Sequence, residues 1–258
     1  MKKYFQFIAF LVVVIFTPGL KADAHCESPL MAEYQYEIMD TEKKINQKKQ
    51  VVLWRRGNQV VIQTPRNQQA ELWELTPNRQ IKMTRYFENH QRGIEYQPTE
   101  IKNKREKNDW SFKYQLVSDV LIRKMQANAN VSKPVENIEV ADCNFYQKLS
   151  LTENKKIIDL TWNPIQKLMT SLEVKEGNIL TLWSLTKNTL DADKIDQYYE
   201  KLLSYQTTDY ADVGDNESDP FLMKMIHLGF VEHGASGFYD SEGNNISRES
   251  GEHGRHGH

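Results

Sequence analysis

Cysteine is scarce in this chain: two in 258 residues, Cys26 and Cys143. No Cys-x-x-Cys pair occurs, which excludes a thioredoxin-like dithiol site, and the lack of Cys-x-x-Cys-His excludes covalent haem attachment. Long apolar runs are lacking too. The longest, Phe5 to Phe16, falls short of the about 20 residues that span a bilayer as a helix. Charge of one sign is missing: 33 Lys and Arg stand against 35 Asp and Glu, a net charge of −2. Such a mild balance, spread along the chain, leaves no electrostatic footprint for nucleic acid. The basic clusters at Lys43 to Lys49 and Lys102 to Lys107 read as solvated faces. No Gly-x-Ser-x-Gly elbow and no EF-hand spacing is present, so no motif reaches the specificity of a catalytic or cofactor site.

What is present at the N-terminus is an address. Lys2 and Lys3, the apolar run and Ala22-Asp23-Ala24 together predict a signal peptide over residues 1–24, with the mature chain starting near His25. Cys26 follows Asp23-Ala24-His25 rather than an apolar lipobox. The expectation is a periplasmic or secreted protein, with no stable membrane insertion after cleavage and a mature net charge of −4, from 30 basic and 34 acidic residues. In an oxidising compartment, Cys26 and Cys143 are expected to form one disulfide. Closing so long a loop contributes on the order of 4 kcal/mol in the chain-entropy account.

From Glu33 to Tyr96 short β-branched and aromatic runs alternate with turn residues, among them Arg56-Gly57-Asn58 and Thr76-Pro77-Asn78, which favours an antiparallel meander. At Asp109 the period changes: Trp110, Tyr114, Val117, Leu121 and Met125 share one helical stripe behind an Asp N-cap. Strand-like runs return from Phe145 to Leu185, followed by Ile195, Tyr198, Tyr199, Leu202 and Leu203 at helical spacing. The fold class is therefore mainly β (α+β): a curved antiparallel sheet or half-barrel with helices laid on its concave face. One β-rich domain is expected over 25–240, with a subdivision near 128–137 around Pro134, and a disordered histidine-containing tail over 241–258.

The succession of short strands, the Trp-x-x-Gly-polar-x-Val pattern at Trp54, Gly57 and Val60, and the intervening helices behind a signal peptide resemble the periplasmic lipoprotein-carrier (LolA-like) half-barrels over roughly Glu33 to Leu185. The resemblance implies an apolar cavity for acyl chains, with Trp54, Trp73, Trp162 and Trp183 as lining residues and an amphiphilic ligand or a protein as partner. The alternative is that these tryptophans fill a closed core. The chain departs from the carriers in having no obvious N-terminal helix and in its extra C-terminal residues.

The stretch Asp209 to Asp240 is the densest in signals. Asp219-Pro220 starts a helix, Phe221, Leu222, Met225 and Ile226 form its stripe, and Gly229 suits its end. Asp212, Asp215, Glu217 and Asp219 gather oxygen ligands of the kind calcium takes, although a capping role accounts for part of that acidity. His253, His256 and His258 could take up zinc or copper. A free amine at His25 could chelate copper with a second histidine, His90, His227 or His233. Ser236 in His-Gly-Ala-Ser-Gly is the single hydrolase candidate, without a nucleophile elbow around it. The leading expectation is a non-enzymatic exported binding or assembly factor. The alternatives are a periplasmic metal-handling protein and a hydrolase.

Overall fold

A computed structural model describes residues 24–101, 109–132, 136–140, 143–215 and 218–228. Twelve strands form one sheet: β1 (Leu30–Asp40), β2 (Ile45–Arg56), β3 (Gln59–Thr64), β4 (Gln69–Leu75), β5 (Ile81–Phe87), β6 (Arg92–Tyr96), β7 (Glu136–Val140), β8 (Asn144–Glu153), β9 (Lys156–Asn163), β10 (Leu168–Glu176), β11 (Ile179–Thr189) and β12 (Gln206–Asp209). Their order is β12-β6-β5-β4-β3-β2-β1-β11-β10-β9-β8-β7. Each half is the meander that its short turns predict. The two meet where β1 pairs antiparallel with β11, placing Tyr36 opposite Trp183 and Tyr34 opposite Leu185. β12 joins the far edge in parallel with β6. Neither β7 nor β12 stands out in the sequence: each is short and carries little of the alternation that marks a half-buried strand.

The strand period of two sorts side chains onto two faces. Leu30, Tyr34, Leu53, Val60, Trp73, Met83, Ile94 and Trp162 belong to one buried cluster. Met31, Val52, Trp54, Val61, Leu72 and Tyr86 belong to another on the opposite side. Arg55 shows which side is concave. It is fully buried, and its guanidinium donates to Gln166 O at 2.7 Å and Lys167 O at 2.9 Å, in the turn between β9 and β10. A flat sheet would hold β2 and β10, three strand spacings apart, at roughly 14 Å. The sheet therefore curls over the face that carries Arg55.

Five helices are described: α1 (Ala24–Glu27), α2 (Trp110–Gln115), α3 (Asp119–Ser132), α4 (Ala192–Leu203) and α5 (Pro220–His227). The single helix expected behind Asp109 is two. Asp109 does cap, accepting from Phe112 N at 3.0 Å, but Leu116 turns left-handed at φ 60 and ends α2. Ser118 then restarts the helix by accepting from Leu121 N at 3.2 Å. Residues of α2, α3 and α5 pack on the concave face. α4 does not: Ile195, Tyr199 and Leu202 bury themselves against the cluster on the convex face, which corrects the expectation that the helices lie together in the concavity. The reason is the phase of the sheet residues. Met31, Val52, Trp54 and Leu72 point away from the concavity, and that apolar surface needs a cover of its own.

Cys26 and Cys143 are bonded, with their Cα atoms 5.6 Å apart across a separation of 117 residues. Carbonyls and the ring of Tyr114, 4.6 Å from its Cζ, hold the Arg55 guanidinium, while its Nε is buried without a partner among the described residues; burial lowers its pKa, and the nearby Tyr114, Tyr34 and Glu27 oppose that. Replacing Arg55 with Met would strand the carbonyls of Gln166 and Lys167, and the expected loss of stability is about 3 kcal/mol. Urea unfolding measures it. A loss under about 1 kcal/mol, the net worth of one ordinary hydrogen bond, would show that Arg55 does not hold the β9–β10 turn to β2.

Candidate functional site

A cleft of about 390 Å³ opens at the rim of the concave face, between α2, the turn from β2 to β3 and the end of β4. Its walls follow from local chemistry. Gly57, at φ 59, makes the tight turn after Arg56 and donates its N–H to Ser28 Oγ at 3.0 Å. Asn58 Nδ2 donates to Leu75 O at 2.8 Å, and Leu75 N donates back to Asn58 O at 3.0 Å, so the turn is tied to the end of β4. On the helix, Trp110 and Tyr114 stand one turn apart with ring centroids at 6.0 Å. Leu75, Trp110 and Tyr114 all line the cleft.

Tyr114 is the floor. Arg55 lies against its ring, and Lys167 Nζ stands 5.9 Å from the ring centroid. Burial pushes the Tyr114 hydroxyl up to about 12; Arg55 opposes this, and Glu27 adds to it by its charge and a hydrogen bond. The phenol is therefore neutral at physiological pH. At the rim Lys167 Nζ pairs with Glu27 Oε1 at 2.8 Å, both partly exposed. The lining residues include no histidine and no cysteine. An apolar wall of two aromatic rings and a leucine beside a polar rim suits binding of an amphiphilic group.

Two other cavities are less suited. One of about 530 Å³ is lined by His90, Arg92, Lys201 and Tyr205, but Arg92 is engaged by Asp219 and Lys201 by Glu88. Another of about 460 Å³ lies along β8 to β11. Its lining is mixed: Leu172, Leu182 and Trp183 contribute to it, but they are interspersed with the charged Lys148, Asp159 and Glu173 and with Ser150, Thr161, Ser171 and Ser184.

The four tryptophans named from sequence do not converge on one cavity. Trp54 lies on the convex face, stacked on Tyr198 at 4.2 Å, with its Nε1 donating to Gln63 Oε1 at 3.3 Å. Trp73 and Trp162 are 0% and 4% exposed in the concave core. Trp183 is half-buried against Tyr36, with centroids 4.6 Å apart. The fifth, Trp110, is the one at the cleft. Its spacing to Tyr114 marks a shared helix face, but the kink at Leu116 that orients this face is invisible in a hydrophobic pattern.

Asp212 and Asp215 stand on the turn after β12, exposed on either side of the buried Val213, and Asp215 N donates to Asp212 O at 3.2 Å. Among the described residues no group of three His, Cys, Asp or Glu side chains is placed to hold a metal. Glu217, Gly229, His233, Ser236, His253, His256, His258 and the side chain of His25 lie outside the described residues. His227 ends α5, and His90 packs on Phe221 with ring centroids 5.4 Å apart. Burial, and then Lys224, lower the His90 pKa.

Asp219 acts as the sequence predicts, accepting from Phe221 N at 2.8 Å and Leu222 N at 3.3 Å. It also pairs with Arg92 Nη2 at 2.9 Å. Burial pushes its pKa up, but the bond from Arg92 and the two amides outweigh that and hold it below the ordinary 3.8. Since the folded value is depressed, the stabilisation is complete above 3.8 and is lost as the pH falls through the lower folded value. Asp219→Ala is expected to cost about 1 kcal/mol at neutral pH. Its thermal midpoint should converge on that of the wild type as the solution is acidified below 3.8; a gap that widens on acidification would contradict the assignment.

No protein-family model and no curated protein matches the chain. Among solved structures it is similar to PNGF-II, at 10% identity and a TM-score of 0.32 over 67% of this chain and 33% of that one. It is similar to a chain of the Pseudomonas aeruginosa MucA/MucB complex, at 13% identity and 0.32 over 67% and 57%. It is also similar to a putative outer membrane lipoprotein-sorting protein domain from Vibrio parahaemolyticus, at 6% identity and 0.28 over 67% and 91%. The chain thus spans about a third of PNGF-II and little over half of the MucA/MucB chain. A lipoprotein-sorting domain stands among these likenesses, which are of fold.

Proposed function

We propose that this chain is an exported, non-catalytic binding protein that takes an apolar group of an amphiphilic ligand into the cleft beside α2. One observation carries the reading: Trp110, Tyr114 and Leu75 line an open space of about 390 Å³ whose rim holds the Lys167–Glu27 ion pair. That volume lies at the small end of ligand sites, roughly 300 to 1,000 Å³, and suits one short acyl or aromatic group. Tyr114 is held neutral and braced from behind by Arg55, so the floor is pre-organised and little ordering entropy is lost on binding. The N-terminal signal pattern and the Cys26–Cys143 bond support an oxidising compartment outside the cytoplasm, and the periplasm is the compartment we assign.

The test is a fluorescence titration of the mature protein with dansyl-undecanoic acid. Trp110→Ala is expected to weaken binding about tenfold, the worth of about 1.4 kcal/mol of lost aromatic contact. Leu203→Ser, at an exposed site on α4, should bind as the wild type does. Equal affinity in the Trp110→Ala variant would sink the assignment of the cleft. Native mass spectrometry of protein taken from the periplasm supplies the second readout, a copurified amphiphile.

A further inference from the structure

The walls of the cleft converge on the disulfide. Glu27 follows Cys26 directly, and the stretch that precedes β1 is α1, a helix of four residues. That is too short to sustain itself, since nucleation alone outweighs a single turn. Outside the strand, this wall is held by the Glu27–Lys167 pair and the bond from Gly57 N to Ser28 Oγ. The ion pair is partly solvated and contributes little.

The other end of the disulfide leads to the opposite rim. Asn163 Nδ2 donates to Cys143 O at 2.8 Å, and Asn163 Oδ1 accepts from Ile165 N at 3.0 Å and Gln166 N at 2.9 Å. This is the turn that gives its carbonyls to Arg55 and its Lys167 side chain to the cleft. The disulfide and the hydrogen bond from Asn163 to Cys143 O thus connect the Glu27 wall to the turn that bears Lys167. Of the two residues Cys26 is buried, whereas Cys143 is partly exposed.

We infer that the Cys26–Cys143 disulfide gates the cleft: its reduction frees the Cys26–Pro29 wall and lowers affinity for the ligand. The gate rests on the cleft reading given above. The thiolate of a dithiol reductant attacks Cys143 Sγ, the S–S bond breaks, and Cys26 leaves as a thiolate that takes up a proton. The second thiol of the reductant then attacks the mixed disulfide and releases Cys143, so two electrons pass to the protein and the reductant ends as its cyclic disulfide. β1 keeps its pairing with both β2 and β11, so the sheet remains while the wall loosens.

The experiment compares the mature protein oxidised, reduced by a water-soluble phosphine and then alkylated, and carrying Cys26→Ser with Cys143→Ser. Dansyl-undecanoic acid affinity is measured on each, with amide hydrogen exchange alongside. Reduction is expected to weaken binding about tenfold, within the usual range of coupling between sites, with faster exchange confined to Cys26–Leu30 and α2. Equal affinity before and after reduction overturns the gate and leaves the cleft standing. No binding by the oxidised protein overturns the cleft and the gate with it. A loss of affinity accompanied by faster exchange throughout β2 to β5 reports general unfolding and also overturns the gate.

Discussion

Strand β1 is hydrogen-bonded along both edges, to β2 on one side and β11 on the other, and the rest of the molecule depends on that double pairing. Without it the chain would be two meanders, each exposing an unpaired edge. Joining them brings residues more than 140 positions apart into register, as at Tyr36 and Trp183, and the entropy of closing so long a loop opposes it. The Cys26–Cys143 bond lies just before β1 and draws together the same two halves. It removes much of that loop freedom from the unfolded chain as well. Buried side chains reinforce the junction: the Tyr34 hydroxyl donates to Met169 O at 2.7 Å, and Arg55 reaches the turn before β10.

Curling the sheet over Arg55 creates two unlike surfaces. The concave one is filled by α2, α3, α5 and the large side chains of both meanders, with Trp73 and Trp162 sealed inside. The convex one has its own apolar strip, which α4 covers through Ile195, Tyr199 and Leu202. Among the described residues, the apolar cleft beside α2 lies at the rim of the concave face, where α2 meets the β2–β3 turn. A buried arginine is tolerable there, since backbone carbonyls and the Tyr114 ring take up part of what its hydration supplied.

Much of this was legible in the residues. Gly57, Asn58 and Pro77 mark turns, and the strands of both halves other than β7 and β12 fall on the β-branched and aromatic runs. Asp109 and Asp219 cap the helices that follow them. The disulfide was legible because two cysteines allow a single pairing. The rest depends on long-range geometry. β12 is four residues with a weak pattern, and its strand character comes from lying against β6. The break at Leu116 is hidden because an apolar residue in a left-handed conformation keeps the hydrophobic period intact. The four tryptophans share a residue type and a strand context, yet Trp54 differs from the others in phase, and phase decides the face.

By itself the sequence determined the strand-rich class, the caps, the turns and the covalent link, because each is set by residue type and by spacings of a few positions. Only the tertiary structure decided which face each helix covers, that Arg55 lies beneath Tyr114, and that Trp110 stands at the cleft beside α2 while Trp73 and Trp162 are sealed in the core. Those outcomes follow from the curl of the sheet and the register of β1 against β11. They bring together residues far apart in the chain, and no local pattern records that distance.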